Sequence, residues 1–108
     1  MGAPNVVRGG SHSGNVSAID LAEDGLLDGL SSDYVPSSLL QAVFQLDSEI
    51  GVTLPDAVAM VSANVADVVG LDDRGEIATG KCADLVRVYV AQHVPVVREV
   101  WREGQRVA

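Results

Sequence analysis

An α/β fold is what this sequence predicts, and three observations carry the expectation. The apolar residues are mostly Val, Leu, Ile and Ala, with aromatics confined to Tyr34, Phe44, Tyr89 and Trp101. Such side chains fill α/β interiors, where parallel strands are buried on both faces. Short apolar runs alternate with helical periodicity through the first two thirds of the chain, and after Gly70 the period becomes that of strands. The chain therefore divides into β/α units over 1–70 and a run of β-strands over 71–108.

The elements follow in order. Pro4–Val7 reads as a short strand entering a polar, glycine-rich loop, Arg8-Gly-Gly-Ser-His-Ser-Gly-Asn15. Val16, Ile19, Leu21 and Ala22 have the spacing of a short amphipathic helix, which Gly25 ends. Leu26–Ser32 is brief and apolar, a buried strand that presents Asp33 at its C-terminal end. Pro36 opens a helix over about 37–48, whose apolar face is Leu39, Leu40, Val43, Phe44 and Leu46. Thr53-Leu-Pro-Asp56 is a helix start: a capping hydroxyl, a proline in the first turn and an acid at the positive helix end. A second short helix runs from about Asn64 to Val69 and stops at Gly70. Gly75–Ile77, Asp84–Val90, Val94–Trp101 and Gln105–Val107 read as strands, the last two joined by a tight turn at Gly104.

Composition excludes several classes. With 47% hydrophobic and 20% charged residues, the chain has globular rather than disordered usage. Its formal charge of −8 is wrong for a nucleic-acid binder, which needs clustered Lys and Arg. No apolar run approaches the roughly 20 residues that span a bilayer, so no membrane partner is expected. One cysteine, Cys82, rules out an internal disulfide framework. No leader pattern opens the chain, and a cytoplasmic location is the expectation.

Two places carry chemistry. Asp33 follows two serines at the C-terminal end of an expected strand, the end that faces the active site in β/α barrels. A carboxylate there ligates metals and accepts a proton from water; an Asp that turns the chain into a helix has the same local sequence. His12 lies in a loop whose glycines let backbone approach a ligand, and Ser11, His12 and Asn15 supply donors for an anion before a helix N-terminus. A solvated surface turn has that composition too. The loop lacks the Gly-Lys-Ser/Thr of a P-loop. The chain has two histidines and no His-x-His, His-Glu-x-x-His or paired-cysteine motif, fewer ligands than a catalytic metal needs. Lys81 beside Cys82 offers a way to lower the thiol's pKa, but a structural cysteine fits the position better.

Gly75-Glu-Ile-Ala-Thr-Gly-Lys-Cys-Ala-Asp-Leu-Val86 resembles the G-x-I-x-x-G-K-x-A-D-L-V ending of metal-dependent amidohydrolases. The Gly2–Asn15 stretch and Leu30-Ser-Ser-Asp-Tyr34 are similar to the branch of that family that acts in phosphonate catabolism beside carbon–phosphorus lyase. The resemblance covers essentially the whole chain. It implies the last βα units of a TIM (β/α)8 barrel over 1–70 and strands of a small β-sandwich composite domain over 71–108. It implies a hydrolase, a diphosphatase that removes diphosphate from the 5-triphosphate end of a phosphorylated ribose phosphonate. A divalent metal, expected to be zinc, serves the complete enzyme. Asp33 matches the aspartate after the eighth barrel strand, a metal ligand that handles the proton of the attacking water. Arg8, Ser11, His12 and Asn15 match the substrate-facing loop after the seventh.

The departures also have consequences. The family's His-x-His, its bridging ligand and its later histidines have no counterpart here, and Asn64-Val65 stands where the family has Asn-Pro. A whole barrel needs ~250 residues. The expectation is therefore a C-terminal fragment that binds no metal alone and is inactive alone. Two other readings stay open: a non-catalytic half-barrel that assembles with a partner or a copy of itself, and the end of another amidohydrolase, dihydroorotase-like or deaminase-like.

Overall fold

In the computed structural model, the described residues are 2–3, 7, 27–32, 37–92 and 94–108. Helices precede a small antiparallel sheet: α1 (Ser38–Gln45), continued by a π-helical turn (Leu46–Ile50), then α2 (Leu54–Ala59), α3 (Ala63–Val69), β1 (Leu85–Ala91), β2 (Val94–Arg102) and β3 (Gln105–Arg106). This is the mixed helix-and-sheet composition of an α/β protein.

The first helix forms where the periodicity places it. Val43 and Leu46 are fully buried, and Leu39 and Phe44 pack at the edge of the same core. Its last turn widens, and the Gly51 N–H reaches back to the Leu46 carbonyl. Thr53 caps α2 as expected, its hydroxyl accepting from the Asp56 N–H at 3.4 Å. α3 ends at Gly70, where the Leu71 N–H bonds the Ala66 carbonyl at 2.8 Å, a bond that satisfies an orphan carbonyl of the last turn.

Leu27 and Leu30 are buried, and Ser31 makes a parallel bridge with Gly2. Where a buried strand over 26–32 was expected, the described residues 27–32 make that single bridge and no regular strand. Leu27 and Leu30, with Ala3, Ala42, Val43, Leu46, Ala57 and Met60, form one hydrophobic core. Val7, expected at the end of a strand, is helical.

A second correction concerns Gly75–Ile77, which forms bends rather than a strand. A strand needs a neighbour for its N–H and C=O groups, and no described strand runs beside this one. Ile77 stands 89% exposed.

The sheet has order β1-β2-β3. β2 and β3 are joined by a two-residue turn with Glu103 at φ 51° and Gly104 at φ 81°. Two successive positive φ values match the right-handed strand twist, and glycine takes the second without a Cβ penalty. Glu103 is held there by its N–H donating to the Asp84 carboxylate at 2.9 Å, and the Gly104 N–H donates to the Ala83 carbonyl at 2.9 Å. The Ala83-Asp84 pair thus clamps the hairpin. The sheet meets the helices where α1 approaches β2.

Candidate functional site

Asp33, Arg8, Ser11, His12 and Asn15 lie outside the described residues, as does His93. What the structure describes is the platform that leads to Asp33. The Leu27–Ser32 segment is pinned on three sides by backbone and side-chain bonds. The Ala3 N–H donates to the Ser31 carbonyl at 2.6 Å, and the Leu30 N–H donates to the Met60 carbonyl at 2.9 Å. The Asn64 side-chain amide donates to the Asp28 carbonyl at 2.7 Å. Ser38, almost fully buried at the start of α1, turns its hydroxyl toward the Ser32 carbonyl at 3.5 Å. So the residue before Asp33 and the helix after it are tied together.

Asn64 and Ser38 are the residues that sequence reasoning missed. Asn64 stood out only as the neighbour of a lost proline. Its partner lies 36 residues away, and no local pattern reports such a contact. Replacing Asn64 with alanine leaves the Asp28 carbonyl without its donor. The expected loss is about 1 kcal/mol, read as a lower urea midpoint at unchanged slope.

The thiol of Cys82 is the opposite of activated. Lys81 does not turn to it but pairs with Glu76 at 2.9 Å, which holds the ammonium above its usual pKa. The Cys82 Sγ lies 3.7 Å from Asp73 Oδ2, and its N–H donates to the Asp73 carbonyl at 2.7 Å. Partial burial, then the charge of Asp73, pushes the thiol above its ordinary value. Asp73 itself is held low, mainly by the hydrogen bond from Arg74 at 2.9 Å, so its charge persists at neutral pH. Alkylation of native Cys82 at pH 7.5 is expected to run slower than that of a free thiol and to accelerate only above the usual thiol range. Asp73→Asn should speed it. A native rate equal to that of the unfolded chain would contradict this placement.

An open groove of about 370 Å³ lies between the end of α1 and the sheet, lined by Gln41, Phe44, Gln45, Ser48, Glu49 and Pro95. It carries a carboxylate and no cation, the wrong lining for a polyphosphate. No three His, Cys, Asp or Glu side chains converge on a metal position among the described residues. No helix among the described residues is long and apolar enough to cross a membrane.

The amidohydrolase family profile matches residues 14–108. α-D-Ribose 1-methylphosphonate 5-triphosphate diphosphatase of Escherichia coli (strain K12) is 54% identical over 109 residues, which cover 99% of this chain and 29% of that protein. Dihydroorotase of Methanopyrus kandleri is 31% identical over 76% of this chain and 23% of its own length. The crystal structure of an amidohydrolase from Thermotoga maritima MSB8 superposes with a TM-score of 0.62 at 29% identity, over 83% of this chain and 25% of that one. The chain thus spans less than a third of each of these proteins.

Proposed function

This chain belongs to the amidohydrolase family, and from that premise we propose that it is the C-terminal part of a hydrolase releasing diphosphate from a ribose 1-phosphonate 5-triphosphate. The observation that carries the reading is 54% identity across 99% of the chain to a diphosphatase of that substrate, against 31% across 76% to a dihydroorotase. In this reading residues 1–70 supply the last βα units of a barrel, and 71–108 supply strands of a small β-domain.

The chemistry is phosphoanhydride hydrolysis. Water adds to phosphorus, the bond to the bridging oxygen breaks, diphosphate leaves, and the ribose keeps its 5-phosphate. A divalent metal, zinc by expectation, would supply Lewis acidity in the complete enzyme. Asp33 is proposed as one of its ligands and as the carboxylate that takes the proton from the attacking water. Arg8, Ser11, His12 and Asn15 are proposed to bind the phosphate oxygens. A guanidinium forks onto such oxygens, and hydroxyl, imidazole and amide groups complete the donor set. The platform of Ser38, Asn64 and the backbone bonds around Ser31 supports the position of Asp33 in this reading.

The test is a chimera in which this chain replaces the matched segment of the Escherichia coli enzyme. Diphosphate release from the ribose phosphonate triphosphate is expected from the chimera and not from this chain alone with added zinc. A folded chimera without turnover, beside an active parent, would sink the proposal.

A further inference from the structure

Two opposite faces of α3 are occupied near its start. Ala63 and Ala66 are three residues apart and share one face. Gly75 packs there: a Cβ built on it would stand 2.9 Å from the Ala66 Cβ and 3.1 Å from the Ala63 Cα. At about 3.6 residues per turn, Asn64 and Val65 fall on the far side of the helix. On that side the Asn64 amide donates to the Asp28 carbonyl at 2.7 Å, and the Val65 Cγ2 lies 3.7 Å from a Cβ built on Gly29. Just before the helix, the Met60 carbonyl accepts from the Leu30 N–H at 2.9 Å. The start of α3 therefore fills the space between the loop over 71–84 and the segment that leads to Asp33.

The two sides are held differently. The loop is braced from within, because the Cys82 N–H donates to the Asp73 carbonyl at 2.7 Å, and from the sheet, because Ala83 and Asp84 bond the β2–β3 turn. Toward the segment, α3 makes an amide bond and a valine contact. The Asn64–Asp28 bond is exposed. Water can replace an exposed donor, so such a bond contributes modestly to stability. Water does not fix the distance between two elements, whereas an amide rooted in a helix does. Position is what this bond supplies.

We propose that α3 is a strut between the 71–84 loop and the Leu27–Ser32 segment, and that Asn64 is the positioning residue through which the strut sets where Asp33 stands. The kinetic part rests on the function proposed above. A misplacement of about 1 Å at a reacting group can cost about a hundredfold in rate. Loosening the strut should therefore lower kcat. KM should hold, because the groups proposed to bind substrate, Arg8, Ser11, His12 and Asn15, belong to another loop.

Three variants of the chimera test it. Asn64→Asp keeps the shape of the side chain and sets an acceptor against the Asp28 carbonyl. It should lower kcat about tenfold, with KM within roughly twofold of the parent. Gly75→Ala pushes on the opposite face of α3 and should lower kcat in the same way. Gly80→Ala, where no described atom lies within 4 Å of the added Cβ, should leave kcat unchanged. Amide exchange gives a readout that needs no turnover: Leu30 should exchange about tenfold faster in Asn64→Asp, with the amides of α1 unchanged. An unchanged kcat in Asn64→Asp, or an equal loss in Gly80→Ala, overturns the proposal. So does Leu30 exchange that stays at the parent rate. A parent chimera without turnover counts against the proposed function instead, and the Leu30 exchange then decides the strut by itself.

Discussion

Asp33→Asn, made in the chimera with the Escherichia coli enzyme, is expected to lower kcat by about a thousandfold while changing KM little. The amide keeps the shape of the carboxylate and removes its charge. It can neither take a proton from water nor balance a cation. Arg8→Ala is the contrasting variant. A phosphate-binding guanidinium that does no chemistry acts through binding, so its loss should raise KM severalfold and leave most of kcat. Steady-state rates of diphosphate release separate the two roles. If Asp33→Asn instead raised KM at normal kcat, the aspartate would be a binding or turn residue. The proton would then have to leave by another group. Asp33 sits directly after the pinned Ser32, so a change in backbone position is the competing explanation for a lost rate. Asn64→Ala supplies that control, because it removes a bond to the same segment and leaves residue 33 an aspartate. A rate loss from Asn64→Ala as large as that from Asp33→Asn would move the effect from chemistry to positioning.

What was legible in the sequence follows from how local each cause is. The Thr53 cap and the Gly104 turn are written in four or fewer residues, and both appear as expected. The apolar face of α1 is legible because helical periodicity needs no knowledge of the partner; the π-helical turn after it left no signal. The β1–β2 connection shows the limit. Gln92 takes φ 50° without glycine or asparagine to announce it, since the pairing of Ala91 with Val94 imposes the turn from outside. Gly75–Ile77 fails for the reverse reason. Its residues suit a strand, yet a strand is a property of two segments, and none lies beside it among the described residues. The candidate site was legible only through family resemblance. On their own, Asp33 and the His12 loop fit a turn and a solvated loop as well as they fit a catalytic centre.

Gly75→Ala should cost about 3 kcal/mol of stability, from backbone strain and overpacking together. Gly75 has φ +104°, outside the range that residues with a Cβ adopt readily. A Cβ there would stand 2.9 Å from the Ala66 Cβ, 3.1 Å from the Ala63 Cα and 3.3 Å from the Ser62 carbonyl oxygen. All three belong to α3 or its start, and two are backbone atoms, which cannot swing aside. The helix would have to shift, and Asn64, which holds the Asp28 carbonyl, is on that helix. The strain should therefore reach the Leu27–Ser32 segment, so that amide exchange at Leu30 rises along with the loss of global stability. Gly80→Ala is the matched comparison: φ is +86° there, and nothing lies within 4 Å of the added Cβ. Its cost should be conformational alone, about 1 kcal/mol. The difference between the two urea midpoints measures the close approach of the Gly75 backbone to α3. Equal losses would mean that the glycine is needed for its dihedral angles and not for that contact. The first glycine of the G-x-I-x-x-G-K-x-A-D-L-V signature would then carry no packing role, and the clamp that Ala83 and Asp84 place on the hairpin would be the signature's structural purpose.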